Sequence, residues 1–209
     1  MEILVFGATG SVGRQVVKQA IAQGHTVTAF ARTPQKLTDV SHPNLTVFQG
    51  DVLDLSTVEQ AMPGHDAVIC VLGSGKKLSG NVRSAGTKNI IHAMEQTGTR
   101  RLICQSTLGA GDSWSNLNFY WKYLMFSLIL RRVFADHQKQ EQYVKQSHLD
   151  WTIVRPGAFI DGHLTGQYHH GFSAHTKPSL KISRADVADF LLKQLSTDAY
   201  LGRTPGVSY

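Results

Sequence analysis

The chain has 209 residues, 42% of them hydrophobic, and its 21 Lys and Arg outnumber 15 acidic residues for a net charge of +6. That is room for one domain with a substantial core, and the positive balance favours anionic ligands such as phosphates or carboxylates. The cations form no dense run interleaved with aromatics, which argues against a nucleic-acid partner.

The first predicted element is a strand, Ile3-Leu4-Val5-Phe6, that runs straight into Gly7-Ala8-Thr9-Gly10-Ser11-Val12-Gly13. A helix follows with Val12, Val16, Val17, Ala20 and Ile21 on one face and a stop at Gly24. Strand, glycine turn and helix in this order form a pyrophosphate cradle. Gly7 lets the chain turn sharply, Gly10 leaves no side chain where the pyrophosphate approaches, and Gly13 lets the helix pack close on the strand. The helix start offers free N–H groups and a positive dipole end, so Gly7, Thr9, Gly10, Ser11, Val12 and Gly13 are the expected cofactor contacts.

Strand two, Thr26 to Phe30, comes next, then strand three at Leu45 to Phe48 and a short helix around Leu55 to Ala61. Ala67 to Leu72 reads as a fully buried strand four, Asn81 to Gln96 as a helix stopped by Gly98, and Arg101 to Gln105 as strand five. Trp114 to Ser147 is helical in pattern with a break expected near Ala135-Asp136, and Trp151 to Val154 is strand six. Residues 158–178 read as irregular. A short strand at Leu180 to Ile182, a possible seventh in the sheet, leads to a capping-box-like Ser183-Arg184-Ala185-Asp186 and a last helix to about Leu195. The alternation predicts an α/β, doubly wound parallel sheet of the Rossmann type, order 3-2-1-4-5-6, with ligand at the carboxyl ends of the strands. One domain is expected over 1–209, its substrate face built from about 108–123 and 156–178.

Three further features bear on the setting. Leu124 to Leu130, the longest apolar stretch, falls far short of the roughly 20 residues that span a bilayer. Met1-Glu2 lacks the basic leader of a secretory signal, and Cys70 and Cys104, both in strand-like segments, read as buried free thiols; a cytoplasmic protein is expected. The histidines show no metal-ligand spacing.

The end of strand two selects the dinucleotide. An NAD-binding chain usually carries a carboxylate there for the adenosine ribose, whereas this one reads Phe30-Ala31-Arg32-Thr33 with Lys36 one turn on. A guanidinium fork suits bidentate contact with a ribose phosphate, so NADP(H) is expected over NAD(H). Asp51 and Val52 should lie beside the adenine, with a helix cap as the other role open to Asp51. Leu72, Gly73, Ser74 and Gly75 should pass under the nicotinamide ribose.

Carbonyl-reducing short-chain dehydrogenases rely on Tyr-x-x-x-Lys, in which the lysine lowers the tyrosine pKa. Here the residues four beyond Tyr120, Tyr123, Tyr143, Tyr168 and Tyr200 are Leu124, Ser127, Ser147, Phe172 and Thr204, so the pair is absent. Ser106 and Thr107, at the end of strand five, should face the nicotinamide. A lone hydroxyl suits acceptors that delocalise the arriving charge themselves, such as an oxidised flavin or a conjugated tetrapyrrole, with catalysis mostly by orientation.

These residues together resemble the atypical short-chain dehydrogenases, and among them the biliverdin reductase B family of NADPH-dependent flavin and biliverdin-IXβ reductases. The resemblance covers nearly the whole chain: Gly7-Ala8-Thr9-Gly10, Gly50-Asp51-Val52, Asp66-Ala67-Val68-Ile69, Leu72-Gly73, Cys104-Gln105-Ser106, Leu164-Thr165-Gly166 and Leu195-Ser196-Thr197-Asp198-Ala199-Tyr200. It implies an NADPH-dependent reductase with an open substrate face and flavin as substrate rather than prosthetic group. Ser106 matches the serine beside the nicotinamide, Arg32 the arginine on the 2′-phosphate, and His137 a histidine near the cofactor; Cys104 and Pro156 join the cofactor contacts. The family's second histidine, in a Pro-Pro-His stretch after strand six, is replaced by Pro156-Gly157-Ala158, and His163 could substitute only if its loop folds back. The stretch after Ser106 is longer and more apolar than in the family. Trp114, Tyr120 and Trp121, with Ala158 and Phe159, are therefore expected to contact a planar acceptor; residues 114–134 could instead touch a partner or a membrane surface. A second function class stays open, a non-catalytic NADP(H)-binding redox sensor or scaffold. Nucleotide-sugar chemistry would need a separate substrate domain for which the chain is too short.

Overall fold

The computed structural model describes residues 1–73, 80–173 and 175–209. Its strands are β1 (Glu2–Phe6), β2 (Thr26–Ala31), β3 (Leu45–Gln49), β4 (Ala67–Cys70), β5 (Arg101–Gln105), β6 (Asp150–Pro156), β7 (Ala158–Ile160), β8 (His169–His170), β9 (Lys181–Ser183) and β10 (Gly206–Ser208). The main sheet runs β3-β2-β1-β4-β5-β6-β10-β8, and β7 and β9 pair separately. All strands from β3 to β6 are parallel to their neighbours; β1 is registered Ile3 to Val27 on one side and Ile3 to Ala67 on the other.

Period-two alternation along β1 builds both halves of the core. Ile3 and Val5 face a layer made by α1 (Ser11–Ala22) and α5 (Arg184–Lys193), where Val16, Val17, Ala20, Val187 and Leu191 are buried. Leu4 and Phe6 face the opposite layer, made by α2 (Leu55–Ala61), α3 (Val82–Thr97) and α4 (Arg131–Gln146), with Val58, Ile90, Met94 and Val144 inward. These four β1 side chains are 0% exposed, each worth about 1.5–3 kcal/mol of burial. A third apolar cluster, around Leu108, Leu117, Phe126 and Leu180, sits beyond the carboxyl ends of β5 and β6.

The outer elements depart from expectation. The helical stretch over 114–147, expected in two parts, is three pieces: a 3-10 turn at Gly111–Asn116, a π-helical segment at Tyr120–Ile129 and then α4. The break falls at Leu130 rather than Ala135-Asp136, because the Leu130 N–H bonds Met125 O in the wider register before α4 begins. The stretch expected to be irregular contains β7, paired with β9 at Phe159–Ile182, and the strand added to the main sheet beside β6 is β10 near the end of the chain rather than 180–182. The capping role open to Asp51 falls to Asp54, which accepts from Ser56 N at 3.1 Å, while Asp51 closes a local turn with Leu53 N at 3.0 Å.

The Leu164-Thr165-Gly166 segment owes its conformation to one buried carboxylate. Asp186 accepts from Thr165 N (2.8 Å), Gly166 N (2.9 Å), Ser183 Oγ (3.0 Å) and Tyr209 OH (2.6 Å). Ser183 caps α5 by accepting from Asp186 N at 3.0 Å, but the reciprocal half of a capping box is missing, since Ser183 N donates to Tyr209 OH. Burial pushes the Asp186 carboxyl up; the hydrogen bonds from Tyr209, Gly166 and Thr165 outweigh it and hold the group below its usual value.

Candidate active site

The glycine turn after β1 is shaped by its neighbours. Gly7 has φ +86°, and a β-carbon there would lie 2.5 Å from Val71 O. A β-carbon on Gly13 would lie 2.1 Å from Gly7 O, so only glycine lets α1 sit this close to the turn. The first turn of α1 has neither a side-chain cap nor an acidic residue, which leaves its amides free to meet an anion. In front of it lies a groove of about 310 Å³ between the ends of β1, β2 and β4. At one end stand Arg32 and Lys36, both exposed; Arg32 forms no ion pair among the described residues. Open amides at the turn and two cations beyond β2 fit a phosphorylated dinucleotide.

Of the expected cofactor contacts, Gly7, Thr9, Gly10, Ser11 and Val12 line this groove, as do Arg32, Lys36, Val52, Leu72 and Gly73. Ser74 and Gly75 lie outside the described residues. Gly13 acts through helix packing. Thr33 and Asp51 do not line the groove, and Cys104 is turned into the core beside Cys70, both thiols buried and free. Ser106, His137 and Pro156 line a second cavity instead.

That second cavity, of about 200 Å³, lies above the ends of β5 and β6. Trp121 and Phe126 of the π-helical segment, Leu130 just after it, and Leu108, Leu117 and Leu180 make its apolar wall, with Ala158 and Phe159 at one side. Arg83, Gln105 and Phe159 line both spaces, so the cavity and the groove share a wall. Trp114 and Tyr120 are not part of it: Trp114 packs on Phe134 with ring centroids 5.5 Å apart, and Tyr120 is 51% exposed. His163 is exposed on the loop beyond β7 and reaches neither space, so it does not replace the missing histidine. The outer side of the π-helical segment exposes Phe119, Tyr123, Leu124, Leu128 and Ile129.

The cavity gathers polar atoms that the protein leaves without partners. Among the described residues nine buried side-chain atoms lack a hydrogen bond, and five belong to cavity residues: Arg83 Nε and Nη1, Gln105 Oε1, Ser106 Oγ and His137 Nδ1. Buried polar groups are nearly always satisfied, so this clustering makes the cavity the candidate ligand site. Burial and the neighbouring Arg83 push the His137 pKa well below its ordinary value, keeping the imidazole neutral. Under Ser106 runs an ion-pair network: Arg155 Nε and Nη2 donate to Glu141 Oε1 and Oε2 at 2.9 and 2.7 Å, and Lys145 joins at 3.1 Å. Ser106 Oγ is near enough to help lower the Glu141 carboxyl but is outside hydrogen-bond geometry. Sequence reasoning missed Arg83, Gln105 and the Phe126–Leu130 wall. Gln105 was within reach, as the neighbour of Ser106; nothing local to Arg83 announces it.

Fold and groove together define a dinucleotide-binding Rossmann protein. The chain belongs to the NAD(P)H-binding family, whose model matches residues 7–198. Over 98% of its length it is 27% identical to the photosystem II assembly factor Ycf39 of Synechocystis, and it spans 61% of that protein's length. Among solved structures it is similar to the oxidoreductase ylbE of Lactococcus lactis, with 25% identity, a TM-score of 0.85, and coverage of 100% of this chain and 90% of that one. It is also similar to ChuY of Escherichia coli O157:H7, an anaerobillin reductase, with 26% identity, a TM-score of 0.83, and coverage of 100% and 97%. No helix among the described residues is long and apolar enough to cross a membrane.

Proposed function

We propose that the protein is an NADPH-dependent reductase that delivers hydride to a planar conjugated acceptor, a flavin or a linear tetrapyrrole such as biliverdin. The observation that carries this is the apolar cavity with five unpartnered polar atoms, sharing a wall with the dinucleotide groove. The likeness to ChuY over essentially both chains supports the tetrapyrrole arm. NADPH, when bound, supplies the hydride. Arg32 and Lys36 hold the 2′-phosphate end, and the start of α1 holds the pyrophosphate. Ser106 and Gln105 orient the reacting edges, while Trp121, Phe126 and Leu130 exclude water and stack on the acceptor. His137, held neutral, gives or accepts a hydrogen bond rather than supplying a proton at neutral pH, so the proton comes from solvent. The substrate face is thus the turn after β5, the π-helical segment and the start of β7.

The test is loss of NADPH absorbance with FMN, riboflavin and biliverdin, repeated with NADH and with Ser106→Ala. NADPH-selective turnover that falls about tenfold or more in Ser106→Ala is expected, the size of an orienting hydrogen bond lost in the transition state. Tight NADPH binding without turnover of any of these acceptors would refute it. The absent Tyr-x-x-x-Lys pair and the likeness to an assembly factor favour the second reading, a non-catalytic NADP(H)-binding sensor or scaffold, in that event.

A further inference from the structure

Arg83 is the only residue of formal charge among the described residues lining the acceptor cavity, whose remaining walls are largely apolar. It is the second residue of α3, and its side chain reaches the wall shared with the dinucleotide groove. The side chain is 12% exposed, and among the described residues it makes no hydrogen bond; Nε and Nη1 are buried without partners. Its counter-ion among the described residues, Asp136, stands at the long end of ion-pair distance and is already engaged. Asp136 Oδ2 stands 3.9 Å from Arg83 Nη1, while the two carboxylate oxygens accept from Arg83 N at 3.2 Å and Ser84 N at 3.1 Å. His137, the next residue along α4, is neutral and adds no second positive charge.

A guanidinium has five donors in a planar fork, and burying it with its donors unmet and only one long ion pair is costly. An apolar wall with one such cation at its edge describes a ligand with an apolar body and one anionic group. We propose that Arg83 anchors a carboxylate or phosphate of the acceptor, so that the protein selects anionic planar acceptors over neutral ones of the same shape. This rests on the second cavity being the acceptor site. The anion fixes the acceptor at the shared wall, beside Ser106 and Gln105 and against the cofactor groove.

Direct binding tests this without turnover. Naphthoate and naphthamide have the same planar apolar body, and only the first carries a carboxylate. Calorimetric titration of each into the full chain saturated with NADP⁺ should show naphthoate binding at least about tenfold tighter, as expected for a charge-assisted bidentate pair. Arg83→Gln should abolish that preference, and Arg83→Lys should restore part of it. The affinity for NADP⁺, measured alongside in both variants, should fall by less than the affinity for naphthoate. Equal affinity of the native protein for the two probes would overturn the proposal. So would an Arg83→Gln variant that retains the naphthoate preference, or one that loses NADP⁺ instead, which would assign the guanidinium to a cofactor phosphate. The native-protein comparison holds even where a variant fails to fold. Turnover of riboflavin without a naphthoate preference would sink the anchor and leave the reductase standing; naphthoate preference without turnover of any acceptor would do the reverse.

Discussion

Replacing Glu141 with Gln keeps the side chain's shape and removes its charge from beneath Ser106. Arg155 is 1% exposed, and Glu141 is its buried partner through two parallel N–H···O bonds of 2.9 and 2.7 Å. The other partner, Asp112, has a side chain 83% exposed and cannot shield a buried guanidinium. Gln offers one acceptor to Arg155 Nε but turns an N–H₂ donor toward Arg155 Nη2 or Lys145. Breaking a buried pair from one side costs about 3–5 kcal/mol, and at about 2–4 °C per kcal/mol for a chain of this size Tm falls by roughly 6–20 °C. Urea and thermal melts followed by tryptophan fluorescence and circular dichroism measure the loss.

The pH dependence has a definite sign. Burial raises the Glu141 carboxyl, but Arg155, with Ser106 and Lys145, outweighs it and leaves the folded pKa below the ordinary value. The pair's contribution is therefore full above the unfolded value of about 4.3 and is lost as the pH falls through the lower folded value. Glu141→Gln removes that part of the acid dependence. Replacing both partners, Glu141→Leu with Arg155→Met, should recover much of the loss, because neither charge is then desolvated. A Glu141→Gln protein melting within about 2 °C of the native one would refute this account of the network.

Arg32→Ala should weaken NADPH by about 10- to 100-fold, the worth of a charged hydrogen-bond pair, and NADH by no more than about twofold; equal losses in a fluorescence titration would remove Arg32 from the 2′-phosphate. Gly13→Ala puts a β-carbon 2.1 Å from Gly7 O, so α1 must move. It should cost about 1–3 kcal/mol in a urea melt and most of the cofactor affinity; native values for both would contradict the packing described. Asp186→Ala strands Thr165 N, Gly166 N and Tyr209 OH without their acceptor. A loss of about 2–5 kcal/mol is expected, with hydrogen-exchange protection disappearing first at Thr165 and Gly166; unchanged exchange there would refute the anchoring role.

The parallel sheet was legible because its strands carry their own signals. Ile3-Leu4-Val5-Phe6 is apolar at every position, as a strand covered on both faces must be, and the glycines that follow it are required by contacts within the same unit. The fringe was not legible. β7, β9 and β10 are three residues each and exist through pairing with distant segments, which no local pattern encodes. From Leu124 to Leu130 nearly every residue is apolar, so periodicity could not reveal a π-register or a change of helix at Leu130. The site divided likewise. The glycine turn at the centre of the groove lies on one local βα unit and carries its own signal, whereas the cavity is assembled from β5, α3, the π-helical segment and β7. Ser106 was read from the end of strand five and His137 through resemblance, and both line the cavity beside the groove; Arg83 became visible only where the start of α3 meets Asp136 of α4.

The wall common to groove and cavity limits how the two can change independently. A substitution at Arg83, Gln105 or Phe159 alters both rooms at once, so a new acceptor preference acquired there carries a penalty in dinucleotide affinity. The opposite side of the cavity has no such constraint. Trp121, Phe126 and Leu130 come from one short segment outside the sheet and line the cavity but not the groove. Diversification of substrate by drift or by directed exchange should therefore concentrate in residues 117–130, a cassette that can be rewritten while the phosphate-binding half stays as it is.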